Sequence, residues 1–313
     1  MSIEALPGEL AERAPTAPRW GAMRTLARNP SVIIGGAIVA FLALVGLLAP
    51  LLGTIDPSEI NPAFRNKRPG VERVMRDENG KETVFVHRFG TDSLGRDVWA
   101  RVAAGDRVSL AVAAVATLIS LTIGVAIGLI AGYFGGVVDS ILMRFVDLVL
   151  SFPFILLAIL LVSLLREAHL QNGSAPVFVT LGVVGWTTMA RVVRGKVLTV
   201  RELDFVQAAR AVGAGPGRIL WRHLLPNVLG VVLVLTMLGF AQNILAESTL
   251  SYLGLGPPPP APTWGRMLAE GQAYYRTAPW LIIVPGVAIL LTVVSFNLLG
   301  EGLRDALDPH GDR

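Results

Sequence analysis

The stretch Val200–Asn227, VRELDFVQAARAVGAGPGRILWRHLLPN, decides how the rest of the chain is read. It lies between two long apolar segments, yet its charges and its Gly213, Gly215, Pro216, Gly217 run cannot cross a bilayer. At helical period, Leu203, Val206 and Ala209 or Arg210 share one side, while Asp204, Gln207 and Ala208 fall on others. Asp204 is expected to cap the first turn, because a carboxylate there accepts from unpaired backbone N–H groups and meets the positive end of the helix dipole. The Gly/Pro run then stops the helix. The expectation is a short helix held outside the membrane between two spans, with Ala208 and Ala209 small enough for another protein's surface to come close.

Working outward, composition sets the class. Of 313 residues, 53% are hydrophobic and only 16% charged, and the charges are segregated, so this is a membrane protein. The net charge of +4 is not a nucleic-acid footprint, since no basic patch is interleaved with aromatics; arginines retained on the cytoplasmic side account for it. The chain has no cysteine, which excludes disulfides, thiolate metal sites and a lipidated cysteine.

Six windows carry no charged residue: Ser31–Ile55, Val108–Val138, Leu148–Leu165, Leu170–Ala190, Leu224–Ala246 and Thr277–Gly300. Each can cross a hydrocarbon core of about 30 Å at roughly 1.5 Å per residue, the third by borrowing flanking residues. The first begins too late and runs too long for a signal peptide and is read as a retained span. An even number of crossings puts both termini on the side of the Val200 loop. Residues 191–223 hold seven Lys or Arg and the N-terminal tail four, which favours the cytoplasm for that side. The expected organisation is a cytoplasmic tail over 1–30, a first span over 31–55 and an extracytoplasmic loop over 56–107. A five-helix core over 108–304 follows, with the loop 191–223 inside it, then a cytoplasmic tail over 305–313.

Within 56–107, VERVMRD and KETVFVH flank Asn79-Gly80, the two-residue hairpin signature. Val98, Trp99, Val102 and Ala103 beyond it form an amphipathic turn expected to lie on the bilayer surface with Trp99 as anchor. Gly124, Gly128 and Gly132 recur every four residues and predict a groove for a neighbouring helix. Arg144 and Asp147 are read as a structural ion pair, within the helix or to the neighbouring loops, because each is costly in lipid alone. Pro153 and Pro285 are expected to kink their spans. Gln242, Asn243 and Glu247 cluster in two turns, with Asn243 and Glu247 on one face; a water-lined path and hydrogen bonding between helices of different subunits are the two readings.

The Val200 stretch resembles the EAA loop of bacterial ABC importer permeases: EAA, three residues, Gly, nine residues, then I-x-L-P. Gln207, Ala208 and Ala209 take the first three places, Gly213 the glycine, and Leu225-Pro226 closes the pattern, while Gln207 replaces the glutamate and His223 the isoleucine. FGTDSLGRDVWARVAAGDRVSL from Phe89, APTWGRML from Ala261 and PGVAILLTVVSFNLLGEGLRDALDP from Pro285 narrow the resemblance to the peptide and nickel permease family, second (C-type) permease. The likeness runs from about Ala22 to Pro309.

The resemblance implies an all-α polytopic protein of six transmembrane helices with the type I ABC importer permease fold and a small extracytoplasmic hairpin. It implies a permease subunit in the bacterial inner membrane, both termini cytoplasmic, forming half of a path for dipeptides or oligopeptides. The partners implied are a second permease, two ABC ATPases and an extracytoplasmic binding protein. The chain contains no G-x-x-x-x-G-K-[ST], so ATP and Mg are expected on the ATPases, with no cofactor here. Asp204, Gln207, Ala208, Ala209, Arg210 and Gly213 are the expected ATPase-coupling residues, and Asn243 and Glu247 the path residues. Nickel, glutathione or oligosaccharide are alternative cargoes. A secondary transporter would need midplane acidic pairs and an internal repeat, and a membrane hydrolase H-E-x-x-H or G-x-S-x-G, and neither pattern is present.

Overall fold

The computed structural model describes residues 26–49, 55–76, 82–168 and 173–307. The expected turn at Asn79-Gly80 and most of both tails lie outside the described residues. Helix α1 (Pro30–Leu48) is entered through Asn29, whose Oδ1 accepts from the Ser31 and Val32 N–H groups at 2.8 and 3.4 Å. Pro30 sits in the first turn, where a missing N–H costs nothing. Strands β1 (Val71–Arg76) and β2 (Glu82–His87) pair antiparallel, Val74 opposite Val84 and Arg76 opposite Glu82.

Helix α2 (Val98–Phe134) runs unbroken for 37 residues, about 55 Å. The amphipathic turn expected on the bilayer surface is therefore the start of this helix: Val98, Val102 and Ala103 are buried against protein. Asp97 caps it, Oδ2 accepting from the Ala100 N–H at 2.7 Å. Helices α3 (Gly136–Leu150) and α4 (Phe154–Glu167) follow, bent by 89° at the break between them. The kink expected at Pro153 is thus a full interruption. Ser151 closes α3 on the Asp147 and Leu148 carbonyls, and Pro153, with no N–H and an extended ψ of 122°, can only start a new helix.

Then come α5 (Ala175–Val200), the short α6 (Asp204–Ala211), and a run through Pro216–Arg218 and a wide π turn, Ile219–Leu224, into α7 (Leu225–Tyr252). Helices α8 (Trp264–Gly271) and α9 (Trp280–Leu307) complete the order, with Pro285 inside α9. Among the described residues five helices, counting α7 with its lead-in, are long and apolar enough to cross a membrane, and the bent pair α3 and α4, counted as one broken span, makes six.

The spine is α2 against α5, and the predicted glycine groove makes it. A Cβ at Gly124, Gly128 or Gly132 falls 2.6–2.7 Å from Met189, Val193 or Val197 side-chain atoms, so only hydrogen lets the backbones meet. On α5, Gly182 meets Ile119 in the same way. These contacts ascend together, so α2 and α5 run parallel. Both finish at one end of the bundle, where Arg201 donates to the Gly132 carbonyl at 2.8 Å and α6 begins. The hairpin lies at the other end. The described chain starts and stops at the α6 end, with Gly302 of α9 against Val32 of α1. Arg107 of α2 donates to the Gly46 and Leu47 carbonyls, satisfying acceptors that the end of α1 leaves over.

Asp147 pairs with Arg191 of α5 at 2.6 Å rather than with Arg144, and Asp139 grips Arg194 with two 2.5 Å bonds. These interhelical pairs let α5 continue past Ala190, where the charge-free window stops.

Candidate functional site

Three places concentrate the polar chemistry: α6, a cavity at the α3–α4 break, and the base of the hairpin. In α6, Val206 and Ala209 are buried, and Val206 packs in the cluster of Ile219, Leu224 and Val228. Asp204, Gln207, Ala208 and Arg210 are exposed. The cap differs from expectation. Leu203 holds the N-cap position and Asp204 is the first helical residue, making no cap hydrogen bond and acting only through the dipole. Gln207 Nε2 donates to the Arg201 carbonyl at 3.1 Å, a bond the glutamate of the usual pattern cannot donate. Arg210 lies over the Tyr133 ring at 5.2 Å, fastening α6 to the end of α2.

Gly213 ends the helix at φ 80°, its N–H bonded to the Arg210 carbonyl, while the Ala214 N–H reaches Ala209. This is the Schellman closure, which requires the left-handed backbone that glycine supplies. Of the two alanines assigned to a contact surface, Ala208 points outward and Ala209 into the bundle.

A cavity of about 620 Å³ opens beside the break, bounded by Phe152 and Phe154, by Gly185 and Thr188 of α5, and by Gln242, Asn243 and Thr249 of α7. Its lining holds no ionisable side chain. Asn243 Nδ2 donates to Thr117 Oγ1 at 2.9 Å, and Ser120 Oγ to the Gly182 carbonyl at 3.0 Å, so hydroxyls and amides of three helices are fixed around it. The two residues assigned to a path separate here. Asn243 is at the wall, whereas Glu247 is fully buried away from it, its Oε1 accepting from Ser251 Oγ at 2.6 Å. Gln242 does line the cavity, as do Phe152 and Phe154, which the sequence hinted at only through Pro153.

At the hairpin end, the stretch from Phe89 and the stretch from Ala261 are two halves of one unit. Trp264 is fully buried in the groove over Gly105, and its Nε1 donates to the Val102 carbonyl at 3.1 Å. Arg101, 3% exposed at its side chain, bonds to both Asp92 and Glu270, and Arg96 bonds to the same two at 2.7 Å each. His87, at the end of β2, meets Asp97 through Nδ1 at 2.8 Å, tying the hairpin to the start of α2. Burial pushes the Asp97 carboxyl up, against the opposing pull of the Ala100 N–H and of His87. Trp264→Phe, which removes the N–H and leaves a smaller ring in a fully buried site, is expected to lower stability in detergent by about 2–3 kcal/mol, the lost hydrogen bond and the cavity together. A thermal unfolding curve of the purified subunit checks it.

Apolar helices around a neutral cavity, with a short amphipathic helix at one end and an ion-paired cap at the other, suit a membrane translocation subunit. Residues 124–311 match the model for the binding-protein-dependent transport system inner membrane component, and residues 18–69 that for the N-terminal TM domain of oligopeptide transport permease C. The chain is 40% identical over 288 residues to the dipeptide transport system permease protein DppC of Alkalihalophilus pseudofirmus, covering 92% of this chain and 88% of the relative. It is 38% identical to the oligopeptide transport system permease protein OppC of Haemophilus influenzae, covering 92% and 87%. A chain of the MetNI methionine ABC transporter, solved in inward-facing conformations, superposes with a TM-score of 0.53 at 19% identity, over 66% of this chain and 97% of that one, which shows the shared fold. The chain therefore belongs to the C-type permeases of peptide ABC importers, as a multi-pass inner-membrane subunit.

Proposed function

We infer that the α6 end faces the cytoplasm, that α6 docks on one ATPase of the importer, and that the neutral cavity is this subunit's half of the peptide path. The exposure of Asp204, Gln207, Ala208 and Arg210 on a helix whose other side is locked into the bundle carries the reading. A helix held by Val206, Ala209 and Gln207 transmits a push without bending, and the π turn at 219–224 passes it to α7, which walls the cavity. The hairpin and both described ends then fall outside and inside respectively.

A second permease closes the cavity, two ATPases supply ATP and Mg, and an extracytoplasmic binding protein delivers the peptide. No cofactor is assigned to this chain. A neutral, mostly apolar lining with a few hydroxyls and amides suits dipeptides and oligopeptides of varied charge, since it carries no ion to reject one sign.

Cysteine placed at Ala208 tests this, because the chain has none of its own. In the assembled importer, Ala208→Cys is expected to cross-link to the ATPase and to react only with reagent from the cytoplasmic face, whereas Val74→Cys reacts from outside. Cross-linking at Val74→Cys instead would reverse the orientation.

A further inference from the structure

We propose that Arg166 is the latch of an outer gate: it holds the hairpin end of the cavity shut and releases each time the path opens on that side. The proposal rests on the reading of the cavity as part of the path. Arg166 stands in the last turn of α4 and donates to three successive carbonyls, Gly254 at 3.4 Å, Leu255 at 2.7 Å, and Gly256. Those carbonyls follow α7, which closes with Gly254 at φ 81° and with the Leu255 N–H on the Leu250 carbonyl at 2.8 Å. A guanidinium there meets spare acceptors and the negative end of the α7 dipole.

Beneath the latch is a seal. Ala158 and Val162 of α4 and Ala246 and Leu250 of α7 are buried in one cluster with Leu255, directly outward of the cavity wall at Ala246 and Thr249. Val112 and Ala116 of α2 and Val177 and Leu181 of α5 complete the same cluster. At its other end α4 begins after the non-helical residues 151–153, where the chain bends by 89°, so a break separates it from α3 and the arginine fastens its tip.

The chemistry of the fastening distinguishes it from its neighbours. Arg96 and Arg101 are held by the carboxylates of Asp92 and Glu270, contacts that are costly to break when buried. Arg166 is half-buried and bonds to the backbone carbonyls of Gly254, Leu255 and Gly256, which water or a docked surface can replace. Arg96 and Arg101 are clamped; Arg166 can let go.

The test uses the complete importer in proteoliposomes, with Gln242→Cys as a reporter in the cavity wall. Arg166→Gln is expected to raise labelling of that cysteine by an impermeant maleimide from the hairpin side by about ten-fold, the loss of roughly 1.4 kcal/mol of charged hydrogen bonding. Arg166→Lys, which keeps the cation, should restore most of the protection. Where Arg166→Gln does not assemble, Val162→Cys with Leu250→Cys spans the seal and keeps the arginine. A short thiol cross-link there should stop transport, and its cleavage should restore it. Labelling unchanged by Arg166→Gln, or normal transport with the seal cross-linked, overturns the latch. A reporter cysteine that peptide fails to protect from either side sinks the path reading itself, and the latch with it.

Discussion

Leucine at position 128 is expected to cost about 3 kcal/mol, the upper end for overpacking, and to leave little folded subunit in the membrane. A Cβ there already lies 2.7 Å from the Ala190 carbonyl and from the Val193 Cβ, so four extra carbons have nowhere to go except between the helices. The groove repeats at Gly124 and Gly132, and forcing one step apart unseats the other two. Gly195→Ala is the matched opposite. It sits exposed on α5 with nothing within 4 Å of its would-be Cβ, so alanine should stabilise by up to about 1 kcal/mol through helix propensity. Thermal unfolding of the detergent-purified variants side by side checks both. Equal shifts at 128 and 195 would show that the groove is not what joins α2 to α5.

Tryptophan at Ala208 is expected to uncouple the importer. The residue is exposed on α6 and neither buried nor bonded to the bundle, so the indole should leave the fold intact and spoil only an external contact. We expect peptide uptake to fall by at least about ten-fold, equivalent to roughly 1.4 kcal/mol of lost docking, while the purified ATPases alone hydrolyse ATP as before. Ala209→Trp is the wrong experiment for this question, since Ala209 packs inward and its enlargement would disrupt the bundle. Gly213 is equally unsuitable, its positive φ straining any side chain before a partner is met. Normal uptake with Ala208→Trp would remove α6 from the coupling route.

The contrast between Ala208 and Ala209 shows where sequence reading stops. Helical period and the Gly213 stop were legible in Val200–Asn227, but which alanine faces the bundle depends on the π turn that folds Ile219 and Leu224 back under α6. No local periodicity reports that contact. The glycine groove was legible because a four-residue repeat of the smallest side chain has one main use in lipid. The true start of α2 was not, because Arg101, Asp106 and Arg107 read as loop until Asp92, Glu270 and the end of α1 come to meet two of them. Glu247 shows the same limit: its burial and its bond from Ser251 depend on packing that the residue spacing alone does not report. Pro153 announced an irregularity, but its size follows from Ser151 ending one helix just before the proline starts another.

That interruption bears on how the chain enters the bilayer. With 15 residues in α3 and 14 in α4, each rod reaches about 22 Å, short of a hydrocarbon core of about 30 Å, and they are set nearly at right angles. Neither half is a viable tenant of lipid alone, and the open backbone between them is tolerable only against protein or water. The crossing is therefore completed by its neighbours: in the folded chain Arg194 and Arg191 of the next helix meet Asp139 and Asp147.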